Sequence, residues 1–94
     1  MASIVVGDRV YPCVGTLGLG RGATCDVLLP WTGGAGYIAR LHAQVITGVD
    51  GNVTFRDLSD DGSFINDEWM CGRTVSLTDG DRIRIGVYEI VFTA

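Results

Sequence analysis

Residues 82–92 read Arg-Ile-Arg-Ile-Gly-Val-Tyr-Glu-Ile-Val-Phe, and this stretch decides the fold class. From Arg82 to Ile85, polar and apolar residues alternate, which is the period of a half-buried β-strand. Gly86-Val87 then supplies a two-residue turn into a second strand-like run, from Tyr88 to Phe92. The stretch therefore predicts two short strands joined by a tight turn.

The same arrangement, two short apolar runs around a turn-forming pair, occurs twice more along the chain. The runs and pairs are residues 4–6 and 10–12 around Gly7-Asp8, and residues 45–47 and 53–55 around Asp50-Gly51. Glycine makes up 14 of the 94 residues, about twice its usual frequency, and it interrupts every candidate helical period. Many short strands at close spacing predict an all-β domain, either an antiparallel sandwich or a barrel.

Length and composition limit the possible classes of protein. With 94 residues, of which 47% are hydrophobic and 19% charged, the chain has the size and composition of one folded domain rather than a disordered segment. It has no apolar run long enough to span a membrane, and its first residues lack the basic region of a signal peptide. We therefore expect an intracellular protein, in the cytosol or nucleus, that is not secreted. Since no tail, linker or effector region is present, we expect residues 1–94 to be the N-terminal domain of a longer protein.

The titratable residues argue against several functional classes. Seven basic residues, all arginine, and eleven acidic residues give a formal net charge of −4, whereas nucleic-acid binding needs a basic surface. The cysteines, Cys13, Cys25 and Cys71, are odd in number and lack C-x-x-C spacing, which favours free thiols over disulfides or a zinc site. The single histidine, His42, has no motif-like serine or cysteine partner. We expect no enzyme, no metal and no cofactor.

Two stretches are similar to loops that bind phosphate or calcium in other proteins. Residues 15–22 are glycine-rich, as nucleotide-binding loops are, but neither a helix nor G-K-[ST] follows them. In residues 57–68, four residues fall at the first, fifth, sixth and twelfth positions of a calcium loop: Asp57, Asp61, Gly62 and Glu68. A calcium loop needs flanking helices, which the sequence does not predict, so the alternative is a solvated strand–turn–strand.

Five motifs, in one order along the chain, resemble those of the forkhead-associated (FHA) domain family. They are Gly20-Arg21, Cys25-Asp26-Val27-Leu28-Leu29, Ala39-Arg40-Leu41-His42, residues 57–66 against Asp-Leu-Ser-x-Asn-Gly-Thr-x-x-Asn, and residues 77–86 against Leu-x-x-Gly-Asp-x-Ile-x-Ile-Gly. Together they cover nearly the whole chain. The resemblance implies an antiparallel β-sandwich of about eleven short strands. The expected core includes Ile4, Val6, Leu19, Val27, Leu29, Val45, Phe55, Phe64, Ile83, Ile85, Ile90 and Phe92.

The resemblance also implies a site for phosphothreonine peptides in the loops at one end of the sandwich. In the family, an arginine at the position of Arg21 contacts the phosphate, as do a serine at the position of Ala39 and the residue at the position of Arg40. A Ser/Thr at the position of Asp60 helps, and an Asn at the position of Asp61 holds the ligand backbone.

This chain departs from the family pattern at three of those positions. Ala39 and Asp60 each remove a hydroxyl donor, and Asp61 removes an amide donor. A carboxylate also repels a phosphate: two like charges about 4 Å apart cost about 4 kcal/mol at an effective dielectric of 20. One hypothesis is that Asp60 or Asp61 pairs with Arg21 or Arg40, so that the protein occupies its own phosphate site.

Further residues of these loops are candidates for supporting or contacting a ligand. The resemblance gives His42 the role of bracing the loops without touching the ligand. Ser59 supplies a hydroxyl to phosphate if the loop slips by one residue, and Gly62 lies in the same loop. Three aromatic residues are candidate interface anchors or, alternatively, caps on the sandwich edge: Trp31, Tyr37 and Trp69.

The sequence therefore favours a protein–protein interaction module of FHA type in which phosphothreonine recognition is weakened or lost. Its binding face is expected on the loops around Arg21, residues 31–40 and residues 60–63. One alternative retains phosphothreonine-peptide binding through Arg21 and Arg40. Another is self-association as a structural scaffold. The expected partner is a protein, modified or not, rather than nucleic acid or a membrane.

Overall fold

The structure, a computed structural model, describes residues 2–31, 33 and 36–94. In these residues the chain forms eleven β-strands and no α-helix, so none of them forms a helix that could cross a membrane. The strands are β1 (Ser3–Val6), β2 (Arg9–Pro12), β3 (Thr16–Gly20), β4 (Val27–Leu28), β5 (Ala43–Thr47), β6 (Val53–Asp57), β7 (Ser63–Ile65), β8 (Glu68–Met70), β9 (Thr74–Ser76), β10 (Arg82–Ile85) and β11 (Tyr88–Thr93). Residues 32, 34 and 35 of the expected binding segment 31–40 lie outside the described residues.

The strands form two sheets, as the FHA resemblance implies. The six-stranded sheet has the order β2-β1-β11-β10-β7-β8, and the five-stranded sheet has the order β4-β3-β5-β6-β9. Every pairing is antiparallel except that of β3 with β4, which is parallel. The predicted all-β sandwich of about eleven short strands is therefore confirmed.

The three predicted strand pairs are all present as hairpins. In the 82–92 stretch, Ile85 lies opposite Tyr88, which leaves Gly86-Val87 as a two-residue turn. Gly86 has a φ of 59°, a conformation that glycine adopts without steric cost. β1 and β2 pair around Gly7-Asp8 in the same way, and β5 and β6 pair around the connection that holds Asp50-Gly51.

The core lies between the sheets and contains ten of the twelve residues predicted for it. These ten have at most 2% of their surface exposed: Ile4, Leu19, Val27, Leu29, Val45, Phe55, Ile83, Ile85, Ile90 and Phe92. Leu and Ile side chains buried to this degree contribute about 1.5–3 kcal/mol each to folding. The prediction missed further buried apolar residues, including Ile38, which belongs to the loop between β4 and β5.

The sequence predicts Phe64 in the core, but the structure shows that this prediction is wrong. Side chains alternate along β7, and Ser63 and Ile65 take the inward positions, so Phe64 lies on the outer face of the sheet. There the Arg84 guanidinium carbon lies 4.6 Å from the Phe64 ring centroid, in a cation–π contact. Val6 is half-buried and packs against the edge of the core rather than within it.

All three cysteines are free thiols. Cys13 is buried among the core residues, and this burial raises the pKa of its thiol. Cys25 and Cys71 are half-buried, and each contacts a loop at the expected binding end of the sandwich.

Candidate functional site

The three loops that carry the predicted site residues meet at one end of the sandwich. The β3–β4 loop is joined to the β4–β5 loop by two backbone hydrogen bonds, Arg21 N to Ala39 O (3.1 Å) and Gly22 N to Arg40 O (3.0 Å). Gly20 is required at this junction, because a Cβ at that position would overlap the carbonyl oxygen of Arg40. Because Gly20 has no side chain, the backbone of Gly20 and Arg21 can pack directly against the backbone of Ala39 and Arg40.

His42 joins the β4–β5 loop to the β6–β7 loop. Its ring is fully buried and accepts a hydrogen bond at Nδ1 from the Ala39 N–H (3.1 Å). Its Nε2 lies 2.9 Å from the Gly62 carbonyl oxygen. Since a backbone N–H only donates and a carbonyl only accepts, the ring is neutral and carries its proton on Nε2. His42 therefore links two loops through their backbones and leaves no ring nitrogen for a ligand.

A buried carboxylate, Asp57, organises the β6–β7 loop. Only 2% of Asp57 is exposed, and its oxygens accept hydrogen bonds from Ser59 Oγ (3.0 Å), Ser63 Oγ (2.8 Å) and the Gly72 N–H (2.8 Å). His42 Nε2 lies 3.8 Å from the same carboxylate. Three donors to one carboxylate provide the compensation that a buried charge needs.

The Asp57 network bears on two hypotheses for this loop. Ser59 is only 6% exposed, and its hydroxyl donates to Asp57 and accepts from the Gly62 N–H at 2.8 Å. The Ser59 hydroxyl and the Gly62 amide are thus both used within the protein. The strand–turn–strand that the sequence favours over a calcium loop is present between β6 and β7, although Asp57 faces inward to protein donors rather than into solvent.

Arg21 is held by the β4–β5 loop and not by an aspartate. Its Nε donates to the Ile38 carbonyl (2.8 Å) and its Nη2 donates to the Tyr37 hydroxyl (2.8 Å). Among the described residues, neither Asp60 nor Asp61 forms an ion pair with Arg21 or with Arg40. The hypothesis that the protein occupies its own phosphate site is therefore wrong for this structure.

The two acidic residues of the β6–β7 loop are exposed. Asp60 and Asp61 extend from the loop tip while their neighbours on either side, Ser59 and Gly62, are buried. The Asp61 carbonyl oxygen accepts a hydrogen bond from Trp69 Nε1 at 3.3 Å. A ligand that approaches this loop therefore meets two carboxylates, where the family pattern has a hydroxyl and an amide.

Arg40 lies on the other side of the β3–β4 loop. It is exposed and, with Gly22, Cys25 and Leu41, lines a surface groove of about 420 Å³. The Cys25 thiol donates to the Arg40 carbonyl oxygen at 3.1 Å, which fixes the backbone there. The structure therefore places the Arg40 backbone against the loop that carries Arg21.

The predicted interface aromatics fall into two groups. Trp31 and Tyr37 contact each other edge to face, with ring centroids 4.8 Å apart and planes at 75°, and the Arg21 guanidinium carbon lies 5.5 Å from the Tyr37 centroid. Trp69 is separate, 55% exposed, on β8 beside the β6–β7 loop. The three aromatics are therefore exposed in part, and one of them, Tyr37, contacts the principal predicted phosphate donor.

The Tyr37 segment also contacts the opposite sheet. A Cβ at Gly86 would lie 2.7 Å from the Gly36 carbonyl oxygen, so backbone packs on backbone at this point. A cavity of about 250 Å³ opens beside this contact and is lined by Gly36, Tyr37, Asp61, Gly62, Phe64, Arg84 and Gly86.

Sequence reasoning missed Asp57 and Ser63 as the residues that hold the β6–β7 loop. Asp57 ends one strand and Ser63 begins the next, both at inward-facing positions of a period-two pattern. A polar residue at such a position needs an internal partner, and this signal was available in the sequence.

Comparison with solved structures supports the same fold. One structure, from a structural and functional analysis of phosphothreonine-dependent FHA domain interactions, is 28% identical to this chain. Its TM-score is 0.83 over 99% of this chain and 95% of that chain. Mycobacterium tuberculosis EmbR, solved with a low-affinity phosphopeptide, is 28% identical, with a TM-score of 0.83 over 98% of this chain and 24% of that chain. The N-terminal FHA domain of S. cerevisiae Rad53p, solved with a phosphothreonine peptide, is 21% identical, with a TM-score of 0.81 over 98% of this chain and 91% of that chain, and shows the fold alone.

Comparison with sequence families gives the assignment. A search of curated proteins finds no match to this chain. The FHA domain family model, however, matches residues 17–86, from β3 to the β10–β11 turn. This range includes all five motifs and the three loops that meet at the candidate site, and the chain belongs to the FHA domain family.

Proposed function

We propose that this domain binds a phosphothreonine-containing segment of a partner protein, and that it does so weakly. FHA domains are protein-interaction modules, and the structural relatives include domains solved with phosphothreonine peptides. The proposal joins two features of the site: a basic donor that is available to an anion, and two acidic residues that oppose one.

The observation that carries the proposal is the state of Arg21. A guanidinium has five N–H groups. The hydrogen bonds to Ile38 and Tyr37, the two that Arg21 forms with described residues, leave three of these groups for a ligand. Within the part of the chain that the structure describes, no carboxylate forms an ion pair with it. Its charge is therefore not neutralised, and a planar guanidinium binds phosphate with two parallel hydrogen bonds.

The described residues of the loops around Arg21 are connected by hydrogen bonds within the protein. His42 and Asp57 tie the β4–β5 and β6–β7 loops through buried hydrogen bonds. A site whose loops are already ordered loses less conformational entropy on binding. This rigidity supports retained binding despite the loss of individual donors.

Asp60 and Asp61 account for the expected weakness. Both are exposed at the tip of the β6–β7 loop, where the family has a hydroxyl and an amide. Each carboxylate repels a phosphate dianion and offers no donor. Because solvent and salt screen the two exposed carboxylates, we expect their repulsion to reduce the affinity for a phosphopeptide without abolishing binding.

The test is a backbone amide NMR titration with a degenerate phosphothreonine peptide library and its unphosphorylated twin. We expect shifts at Arg21, Arg40 and neighbouring amides with the phosphorylated library alone. Arg21→Ala should weaken binding by at least about tenfold, because a charge-assisted hydrogen bond to a charged ligand contributes about 1.5–3 kcal/mol. Arg9→Ala, on edge strand β2 of the other sheet, is the matched control and should bind as the wild type does.

Equal shifts with both libraries would show recognition that is independent of phosphate. Silence with both would mean that the phosphate site is inactive. Either result contradicts the proposal and directs the search to folded partners or self-association.

A further inference from the structure

The geometry points to Tyr37 as a second donor beside Arg21: the Tyr37 phenol and the Arg21 guanidinium form a paired donor for the ligand phosphate. This inference rests on the proposed function and names a binding residue for the same site. Ala39 carries only a methyl group, so it cannot supply the hydroxyl donor that the FHA pattern has at this position. Tyr37 lies two residues earlier in the same loop.

The direction of one hydrogen bond decides what the phenol offers a ligand. Arg21 Nη2 lies 2.8 Å from the Tyr37 hydroxyl oxygen. Because a guanidinium only donates, the phenol oxygen accepts, and its own hydrogen points elsewhere. Among the described residues, no acceptor takes that hydrogen. The phenol O–H is therefore a donor next to the remaining N–H groups of Arg21.

Tyr37 is held in this position by two neighbours, Trp31 and Arg21. The Trp31 ring contacts it edge to face at 4.8 Å, and the Arg21 guanidinium carbon lies 5.5 Å from its ring centroid. Arg21 is fixed in turn by the Ile38 carbonyl at 2.8 Å. The two donors are thus positioned relative to each other before a ligand binds, which lowers the entropic cost of using both.

The chemistry of the pair suits a phosphate. A hydroxyl that accepts a hydrogen bond from a cation becomes a stronger donor, since hydrogen bonds in a chain polarise one another. Tyr37 is 37% exposed, so a ligand reaches it without the loop opening. An anion next to Arg21 therefore receives hydrogen bonds from both residues at once.

The same contact has a competing interpretation, in which the Tyr37 ring blocks Arg21 and must be displaced by the ligand. The two interpretations predict opposite effects of removing the hydroxyl. A blocking tyrosine that loses its hydrogen bond to Arg21 releases the arginine, and binding becomes tighter. A donating tyrosine that loses its hydroxyl makes binding weaker.

The test is isothermal titration calorimetry with the tightest-binding phosphothreonine peptide from the library and the variants Tyr37→Phe, Tyr37→Phe/Ala39→Ser and Tyr11→Phe. We expect Tyr37→Phe to weaken binding about tenfold, the loss of one charge-assisted hydrogen bond. Adding Ala39→Ser should restore most of that loss, since it returns a hydroxyl to the family position. Tyr11→Phe, on strand β2, is the matched control and should leave binding unchanged.

Thermal unfolding of each variant checks that the fold is intact, and Tyr37→Phe should unfold close to the wild-type temperature. Unchanged or tighter binding by Tyr37→Phe overturns the inference and leaves the proposed function standing. A tenfold loss that Ala39→Ser does not restore also overturns it, because the Tyr37 hydroxyl then acts by holding Arg21 in place rather than by donating to the phosphate. A wild-type protein that binds no phosphopeptide overturns the proposed function and this inference together.

Discussion

The candidate site contains two regions that differ in burial and in what their polar groups bond to. The inner region, built on His42 and Asp57, is buried, and its polar atoms bond to one another and to the backbone. The outer region, with Arg21, Ala39, Asp60 and Asp61, is exposed in whole or in part and holds the three substitutions in the family pattern. The inner region determines the shape of the loops, while the outer region determines which ligand they accept. Ligand contacts can therefore change without a cost in folding.

Removal of the Asp57 carboxylate should break the inner region and give the largest effect. Asp57→Ala leaves the hydroxyls of Ser59 and Ser63 without their acceptor in a buried site, and it removes the acceptor of the Gly72 N–H, which is in reach of solvent. Unsatisfied buried donors cost about 1–3 kcal/mol each, so we expect a loss of about 2 kcal/mol or more in the free energy of unfolding. Urea denaturation followed by circular dichroism measures this. A loss below about 1 kcal/mol would show that the network is not what holds the loop.

Restoration of the family pattern in the outer region should change affinity and leave stability alone. The double variant Asp60→Ser/Asp61→Asn removes two like charges and returns two donors, and we expect phosphopeptide binding to tighten about tenfold. The gain should shrink at high salt, since exposed charges are screened. Calorimetry at two salt concentrations measures both effects. Unchanged affinity would mean that these aspartates do not face the phosphate.

A second carboxylate, Asp81, tests how much the burial of Asp57 matters. Like Asp57, it accepts hydrogen bonds from side-chain and backbone donors, here those of Asn66 and Thr78, but it is only half-buried. Burial opposes ionisation of Asp81, but hydrogen bonds from the Thr78 N–H, the Asn66 amide and the Thr78 hydroxyl outweigh it and lower the pKa of the carboxyl below its usual 3.8. Asp81→Asn should cost about 1 kcal/mol at neutral pH, the smallest effect of the three.

The pH dependence of the Asp81 contribution has a definite sign. Because the pKa is lower in the folded state, the ionised carboxylate stabilises the fold above the usual pKa. That contribution is lost as the pH falls below 3.8 and through the folded value. The difference in unfolding free energy between wild type and Asp81→Asn should therefore shrink at acid pH. A difference that stays constant down to about pH 2 would contradict this assignment.

The strands could be predicted because their signals are local. The alternation in residues 82–85 and the glycine after it give the β10–β11 hairpin without knowledge of any partner. The prediction for Phe64 is wrong because the apolar character of a residue does not by itself determine on which face of a strand its side chain lies. Its inward neighbours are Ser63 and Ile65, and only the Asp57 network explains why a serine takes the buried position.

The site residues were found by motif, but their contacts could not be predicted. Charge alone favours a pair between Arg21 and a nearby aspartate, whereas the structure directs the arginine to Tyr37 and Ile38. That outcome depends on the path of the β4–β5 loop, which is set by contacts far apart in sequence. Ser59 is similar, since its burial follows from the position of Asp57 below it.

The contact between Gly36 and Gly86 restricts which residues can occupy either position. A Cβ at Gly36 would lie 2.8 Å from the Gly86 Cα, and a Cβ at Gly86 would lie 2.7 Å from the Gly36 carbonyl oxygen. Even the methyl group of alanine at either glycine would therefore push the segment that carries Tyr37 away from the β10–β11 turn. The position of Tyr37 thus depends on the absence of two side chains as well as on the contacts of its own ring.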